Sequence, residues 1–436
     1  MGILLQQGTV HLIQGARTCD LLIEEDRIRN IQDHIPEHNH QVISCAGLDI
    51  LPGLIDAHVH FREPGNEDKE TFESGSKAAA SGGVTTVLDM PNNNPPVRTR
   101  EDLARKRELA RSSLVNYGLY VLGCTDNIEH LDTFENIPGI KVYLGSSTGN
   151  YLIDDLGVFV QILRKARVPV VVHAENESLL LYFHSLFENT HLHHKMRDPL
   201  CAVVSVAEST LSAEYFQKRL HLAHVSTKAE IDYLRKNKTS GITCEVSPHH
   251  LYLSEAFFLK EGNLGKMNPP LREQPNQDAL WDAISEGLVD MIATDHAPHS
   301  LSDKSCAYPE APCGVPGVQT LLPLLLDSVA RERLSMKQLV ELCCQNPARV
   351  FGIQERGEIR EGFYADLVIV DRSQKSIIQN QDQYSKCGWT PFHGMEVVGS
   401  VLRTFVNGTL VFEGGNFPSI PVGMEVKFQN QEGEIS

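Results

Sequence analysis

Eight short apolar segments recur along the middle of the 436-residue chain, and most of them end in a polar side chain. Helical patterns lie between most of these segments, over residues 99–112, 226–237 and 275–287, with Ser226 and Asn276 expected as N-caps. Strands that alternate with helices predict an α/β fold, a parallel (β/α)8 TIM-type barrel. The segments are LPGLIDAHVHF, VTTVLDMP, VNYGLYVLG, GIKVYLG, VPVVVHAE, LHLAHVS, GITCEVSPHH and VDMIATDHAPH.

Both ends of the chain show short strand patterns without intervening helices. ILLQQGTVHLI and CDLLIEEDRIRNI stand near the start, and ADLVIVD and VLRTFVNGTLVFEGG stand near the end. Asn407-Gly408 in the last of these is a strong hairpin signal. We therefore expect a small composite β-sandwich domain from residues 1–52 plus 353–436, and a barrel domain over 53–352.

Composition narrows the class of protein. The formal net charge of -17 argues against nucleic acid and anionic membranes as partners, so an anionic substrate would need a local positive site. The 10 cysteines are scattered and include no CxxC pair, which indicates reduced thiols and a cytoplasmic protein. No apolar run approaches the roughly 18 residues of a membrane span, and the N-terminus lacks the basic region of a signal peptide.

The polar residues at the strand ends are candidate metal ligands. In a TIM-type barrel, the carboxyl ends of the strands carry the active site. His58 and His60 are two residues apart, so one strand can direct both imidazoles to the same side. Four imidazoles and a carboxylate suit zinc, iron, copper or nickel better than calcium or magnesium. Each histidine alone is more often structural than a metal ligand, but the set favours a metal site: His58, His60, His173, His224 and Asp295.

Lys141, in the strand GIKVYLG, has two interpretations. A protonated ammonium repels a cation, so this side chain could simply extend out of the barrel mouth. Alternatively, a neutral amine that has captured carbon dioxide becomes a carbamate whose two oxygens can bind two metal ions.

Arg62 follows the HxH pair and would face the same pocket. A guanidinium suits bidentate binding of a carboxylate, although a surface ion pair with Glu63 is the alternative. The loop over 145–155, including Thr148, is either a simple connection or a lid, and 299–317 is a second candidate wall. His249 and His250 end another strand and receive no role.

At this point the chain resembles the dihydroorotase family of the amidohydrolase superfamily over nearly its whole length. The resemblance implies that His58, His60, carboxylated Lys141 and Asp295 hold one metal, and that Lys141, His173 and His224 hold the other. It implies two zinc ions per subunit, bridged by carboxylated Lys141 and hydroxide. The matching motifs are DAHVHFREPG, LDMPNNNPP, GIKVYLG, VVHAEN, AHVST, MNPPLR, TDHAPHSLSDK, GVPGVQTLLPLLL and GEIREGFYADLVIVD.

The same resemblance implies a reaction and its substrate contacts. The reaction is the reversible cyclisation of N-carbamoyl-L-aspartate to L-dihydroorotate. In its ring-opening direction the bridging hydroxide would attack the ring carbonyl, with Asp295 as general acid and base. Arg62, Asn92, Asn268 and His299 match substrate-contacting positions of the family. A homodimer and an association with a carbamoyltransferase are further expectations.

Two other functions stay open. The first is another cyclic amidase, of the allantoinase or hydantoinase type; Arg62 argues for a substrate with a carboxylate. The second is a non-catalytic scaffold, which typically lacks metal ligands, whereas all six are present here.

Overall fold

Parallel strands and helices alternate through the middle of the chain, in a computed structural model that describes residues 2–147, 151–187 and 192–429. The strands are β1 (Ile3–Leu12), β2 (Gly15–Glu24), β3 (Arg27–Gln32), β4 (Gln41–Ser44), β5 (Asp49–Pro52), β6 (Leu54–Val59), β7 (Val84–Asp89), β8 (Asn116–Leu119), β9 (Val121–Leu122), β10 (Ile140–Tyr143), β11 (Val170–His173), β12 (Leu220–Leu222), β13 (Ile242–Val246), β14 (Met291–Ile292), β15 (Leu367–Ile377), β16 (Glu396–Val406) and β17 (Thr409–Glu413).

Strands β6 to β14 form the predicted barrel. Parallel ladders run through β6, β7 and β8, and through β9, β10, β11, β12, β13 and β14. Only Tyr120 separates β8 from β9, and its N–H donates to Asp89 O of β7 at 3.0 Å, so β8 and β9 act as one barrel strand. A parallel bridge between Val59 and His296 joins the first strand to the last. The eight predicted strand segments therefore take the eight barrel positions.

Helices connect most of these strands and cover the barrel. They are α1 (Phe72–Ser81), α2 (Arg100–Ala110), α3 (Leu156–Lys165), α4 (Glu177–Phe187), α5 (His193–Met196), α6 (Pro199–Tyr215), α7 (Lys228–Asn237), α8 (Pro248–Tyr252), α9 (Glu255–Glu261), α10 (Gln274–Ser285), α11 (Leu301–Lys304), α12 (Leu321–Ala330), α13 (Met336–Val340) and α14 (Asn346–Phe351). Short 3-10 turns occupy Thr125–Thr133, Gly262–Gly265 and Asn380–Asp382, and a π-helical turn occupies Glu341–Gln345.

Two predicted helix caps were wrong by a few residues. Thr227, and not Ser226, caps α7, because its hydroxyl accepts a hydrogen bond from Glu230 N. Asn276 lies inside α10, whose N-cap is Glu273, and its Oδ1 accepts from Lys228 N of α7 at 3.0 Å. Both helices nevertheless begin within two residues of the predicted start.

The two β-rich ends come together, as predicted for the composite β domain, and their strands pair in one mixed sheet. Its order is β17-β16-β15-β5-β1-β2-β3, with β4 paired to β1. Strand β5 is the junction, because it pairs in parallel with β1 and antiparallel with β15 immediately before the chain enters β6. Asn407 and Gly408 both have positive φ in the turn between β16 and β17, which is the geometry of a two-residue hairpin. The domain boundaries at 52/53 and 352/353 stay a prediction.

Apolar side chains fill the barrel beneath the polar strand ends. Successive side chains of a strand alternate in direction, so Val171 lies on the same side of β11 as His173. The interior cluster is Ile55, Ala57, Leu88, Met90, Tyr120, Val171, Ala223, Met291 and Ala293, closed by Val350 and Phe351 of α14. The polar groups above this cluster are therefore held on a packed floor. No helix in the described part of the chain is long and apolar enough to cross a membrane.

Candidate metal centre

Six side chains from five barrel strands or their ends meet in one pocket. His58, Lys141 and His173 lie on β6, β10 and β11. His60 directly follows β6, and His224 and Asp295 lie shortly beyond the ends of β12 and β14. All six are buried and line the same pocket: His58, His60, Lys141, His173, His224 and Asp295. The structure thus brings together every residue that the sequence predicted as a ligand.

His58, His60 and Asp295 form one potential ligand set. The Nε2 atoms of His58 and His60 lie 3.3 and 3.0 Å from Asp295 Oδ1. Such separations fit donors that each lie about 2.0–2.1 Å from a common zinc ion. All three ligand atoms fall within 4.8 Å of one another, so a single ion can be shared.

His173 and His224 form a second pair. His173 Nδ1 lies 3.0 Å from His224 Nε2, and their ring planes are nearly perpendicular. Burial lowers the pKa of both imidazoles, and it lowers the pKa of His60 to about 4. These rings are therefore neutral near pH 7, which is the protonation state that binds a metal.

Acceptors on the outer side of three rings fix which nitrogen faces the pocket. His58 Nδ1 donates to Glu245 Oε1 at 2.5 Å, His60 Nδ1 donates to Asn92 Oδ1 at 2.6 Å, and His173 Nε2 donates to Glu175 Oε2 at 2.8 Å. The nitrogens left facing inward then carry lone pairs. Two such lone pairs against the carboxylate oxygen of Asp295 are mutually repulsive unless a cation lies among them, so the donor set fits a metal.

The sequence reading missed Glu245 and Glu175. Glu245 also accepts from His221 Nε2 at 3.0 Å, and Glu175 also binds Arg197. The available signal for Glu245 was a charged residue in the middle of ITCEV, an otherwise buried parallel strand. For Glu175 it was an acidic residue two positions beyond a predicted ligand.

Lys141 is fully enclosed and does not extend out of the barrel. It is 1% exposed, and its Nζ has no hydrogen-bond partner among the described residues. Burial lowers the pKa of Lys141 to about 8. A buried amine without a hydrogen-bond partner beside these two ligand sets fits the carbamate interpretation, because a carbamate would give the two sets a shared donor.

The backbone turns sharply at two of the ligands. His224 and Asp295 have φ of 38° and 48°, a left-handed conformation that costs non-glycine residues about 1–3 kcal/mol. Each lies in the short segment that follows a strand, where the turn directs its side chain into the pocket.

Arg62 is the buried cation of the pocket. It is 7% exposed, its Nε donates to Pro298 O at 3.1 Å, and no carboxylate of the described residues lies within ion-pair distance. Glu63, the alternative partner, instead accepts from Phe72 N at 2.9 Å. The guanidinium therefore faces the pocket with its charge uncompensated by a direct contact.

The other predicted substrate contacts occupy different depths. Asn92 and Asn268 line the pocket, whereas His299 lies behind Arg62, 3.2 Å from one of its terminal nitrogens, and does not line the pocket. His299 Nε2 donates to Cys313 O at 3.0 Å. A direct substrate contact by His299 remains a prediction.

Several wall residues were not singled out from the sequence. Tyr143, Ser147, Cys313 and Gly314 also line the pocket. Cys313 and Gly314 belong to 299–317, so that segment does form a wall. Thr148 lies outside the described residues.

The chain is similar to known proteins over most of its length. Residues 50–411 match the model of the amidohydrolase family. A dihydroorotase of Halobacterium salinarum is 39% identical over 409 residues, covering 92% of this chain and 95% of that protein. A dihydroorotase of Methanosarcina acetivorans is 37% identical over 416 residues, covering 90% and 88%.

Solved structures of cyclic amidases share the fold. The L-hydantoinase (dihydropyrimidinase) of Arthrobacter aurescens superimposes with a TM-score of 0.93 at 26% identity, covering 98% of this chain and 99% of that chain. The dihydropyrimidinase of Brevibacillus agri gives a TM-score of 0.91 at 25% identity, with the same coverage.

Proposed function

The chain belongs to the amidohydrolase family as a dihydroorotase-like cyclic amide hydrolase, and we propose that it interconverts N-carbamoyl-L-aspartate and L-dihydroorotate. The observation that carries this choice is Arg62, a buried guanidinium at the candidate metal centre without a carboxylate partner among the described residues. A substrate carboxylate would supply the missing counter-charge through two parallel hydrogen bonds. Rings of the hydantoin or dihydrouracil type carry no such group.

Different residues of the pocket would bind the metal ions, transfer the proton and hold the substrate. Two zinc ions, held by His58, His60, Asp295, His173, His224 and a carboxylated Lys141, would polarise the ring carbonyl and acidify a water molecule. Asp295 accepts the proton of the attacking water at a carboxylate oxygen and returns it to the leaving ring nitrogen. Arg62 and the amide groups of Asn92 and Asn268 hold the substrate in line with that carboxylate.

The cysteines and the proposed substrate indicate where the enzyme works and which proteins it could contact. Ten unpaired thiols suit a reducing compartment, so we place the enzyme in the cytoplasm. In the biosynthetic direction, the substrate of this enzyme would be the product of a carbamoyltransferase. Contact with such a carbamoyltransferase remains a proposal, and so does a homodimer.

The first experiment compares four rings side by side. Zinc-loaded protein is given L-dihydroorotate, dihydrouracil, hydantoin and allantoin, and ring opening is followed by absorbance. We expect turnover of dihydroorotate alone, and its loss on chelation. Turnover confined to rings without a carboxylate would establish a hydantoinase-type enzyme instead, and bound zinc with no turnover would point to the scaffold function.

Arg62→Lys tests the carboxylate contact. It keeps the charge and loses the planar pair of donors, so kcat/KM for dihydroorotate should fall about 10²-fold, since a hydrogen bond to a charged group contributes about 1.5–3 kcal/mol. Exposed Arg98→Lys is the control. An unchanged kcat/KM in Arg62→Lys would remove the basis for choosing dihydroorotate.

Asp295→Ala tests the proton transfer. We expect kcat to fall at least about 10²-fold, while elemental analysis still finds zinc, because the four imidazoles remain. Full activity of this variant would exclude Asp295 as the acid and base.

A further inference from the structure

Glu175 is a buried carboxylate two residues beyond the candidate ligand His173. It is fully buried and accepts from His173 Nε2 at 2.8 Å, on the side of the ring opposite His224. Its other partner is Arg197, whose Nε lies 3.1 and 3.2 Å from the two carboxylate oxygens and whose Nη2 binds Oε2 as well. Arg197 thus completes a chain from ligand to carboxylate to guanidinium.

The guanidinium of Arg197 also reaches the wall of the pocket. Its Nη2 donates to Ser146 O at 2.8 Å, in the segment that follows β10. Ser147, the next residue, lines the pocket. One side chain therefore contacts both the support of a candidate metal ligand and the backbone of the wall.

The wall segment is packed tightly against Glu175 as well. A Cβ on Gly145 would lie only 2.4 Å from Glu175 O, so no larger residue fits there without displacement. Glu177 holds the same segment from another side, since Ser146 N and Oγ each donate to its carboxylate at 2.6 Å. Glu177, unlike Arg197, forms no hydrogen bond or ion pair with Glu175 or His173, all three of which lie in the described part of the chain.

We propose that Glu175 and Arg197 are positioning residues, of which Glu175 fixes the ring of His173 and Arg197 fixes both Glu175 and the wall segment 145–147, so that metal retention and substrate binding both depend on Arg197. The substrate half of this inference rests on the proposed function. Glu175 acts on the ligand, Glu177 acts on the wall, and Arg197 acts on both.

A purely structural role for Arg197 is the alternative. Its own backbone carbonyl accepts from the buried Arg272, so the residue also belongs to the packing under α6. General loosening of this region would lower stability in all variants without separating metal retention from substrate binding.

Three matched variants distinguish these roles in the zinc-loaded enzyme. Zinc retention is measured by transfer to a chromophoric chelator in the absence of substrate, and KM is measured on whichever ring the enzyme opens. Glu175→Gln should weaken zinc retention about 10–100-fold, the usual effect of losing a partner of a metal-bound histidine. Glu177→Gln should raise KM severalfold and change zinc retention by less than twofold. Arg197→Gln should produce both effects, and the exposed Arg111→Gln neither.

Two results would overturn the inference. One is an Arg197→Gln enzyme in which only zinc retention or only KM changes; the other is Glu177→Gln losing zinc as readily as Glu175→Gln. Should Arg197→Gln not fold, Arg197→Lys, which keeps the charge and loses the multiple contacts, must show both effects at reduced size. Zinc retention needs no substrate, so failure of the dihydroorotate assignment would leave that half of the test intact.

Discussion

Asn92 shows how one side chain can serve two neighbours. Its Oδ1 accepts from His60 Nδ1 at 2.6 Å, while the residue also lines the pocket. The amide nitrogen keeps two N–H groups for a substrate. The oxygen therefore supports a metal ligand and the nitrogen is available for binding.

Replacement of Asn92 should separate the two roles. Asn92→Asp keeps an acceptor for His60 but loses both donors and repels an anionic substrate. We expect zinc retention within about twofold of the unmodified enzyme and kcat/KM for dihydroorotate reduced about 10²-fold. Asn92→Ala should lose zinc retention as well. The exposed Asn94→Asp, from the same asparagine run, is the control. Equal effects of Asn92→Asp and Asn92→Ala on zinc retention would contradict the separate roles of the amide oxygen and nitrogen.

At the scale of the element, the start of α7 shows the limit of reading caps from sequence. Ser226 and Thr227 are both good N-cap residues. Only Thr227 forms the capping box, with Glu230 N at 3.1 Å and with Glu230 Oε2 accepting from Thr227 N at 2.9 Å. The hydroxyl of Ser226 is buried without a hydrogen-bond partner among the described residues.

The two hydroxyls should therefore differ in their effect on stability. Thr227→Val keeps the shape and loses the cap, so the free energy of unfolding should fall by about 1–2 kcal/mol. Ser226→Ala removes an unpaired buried hydroxyl and should change it by less than about 0.5 kcal/mol. Urea unfolding of both variants measures the difference, and a larger loss in Ser226→Ala would reverse the assignment of the cap.

At the scale of the whole molecule, the barrel encloses many neutral histidines. Among the residues that the structure describes, burial lowers the pKa of eight imidazoles, to about 4 for His60 and His249 and to about 3 for His193. The others are His173, His194, His224, His250 and His299. Buried Asp56, whose pKa burial raises to about 6, acts in the opposite direction. Burial also raises the pKa of Glu63, Asp89 and Glu230, which act in the same direction as Asp56.

This enclosure predicts acid sensitivity. Below about pH 6.5 the unfolded chain binds protons that the folded histidines do not, so the free energy of unfolding should fall as the pH falls, by up to about 1.4 kcal/mol per pH unit for each histidine. His250→Gln keeps a donor for Pro269 O and removes one such group. Between pH 6.5 and 5, the free energy of unfolding of His250→Gln should fall less steeply than that of the unmodified protein, by up to about 1.4 kcal/mol per pH unit. The exposed His184→Gln should not differ from the unmodified protein, and parallel curves for His250→Gln would contradict the prediction.

The order of strands and helices and the identity of the six candidate ligands could be predicted from the sequence. Both depend on local information. Side-chain periodicity identifies each strand, and in a parallel barrel the carboxyl ends of the strands all lie at one mouth. His58 and Asp295 are far apart in the chain, yet they meet because each stands at the end of an apolar strand.

Tertiary structure alone decided how these groups are supported and charged. The nitrogen that His58 presents to the pocket is set by Glu245, 187 residues away. Likewise, Lys106 of α2 is fully buried and its Nζ lies 2.5 Å from Asp89 Oδ2, a contact that the helical pattern over 99–112 does not indicate. Arg62 lacks a carboxylate contact because its neighbour Glu63 turns to the backbone of α1. Such contacts join distant strands and helices and exist only after the barrel closes, when burial makes each unpaired polar group costly and so determines which partners must meet.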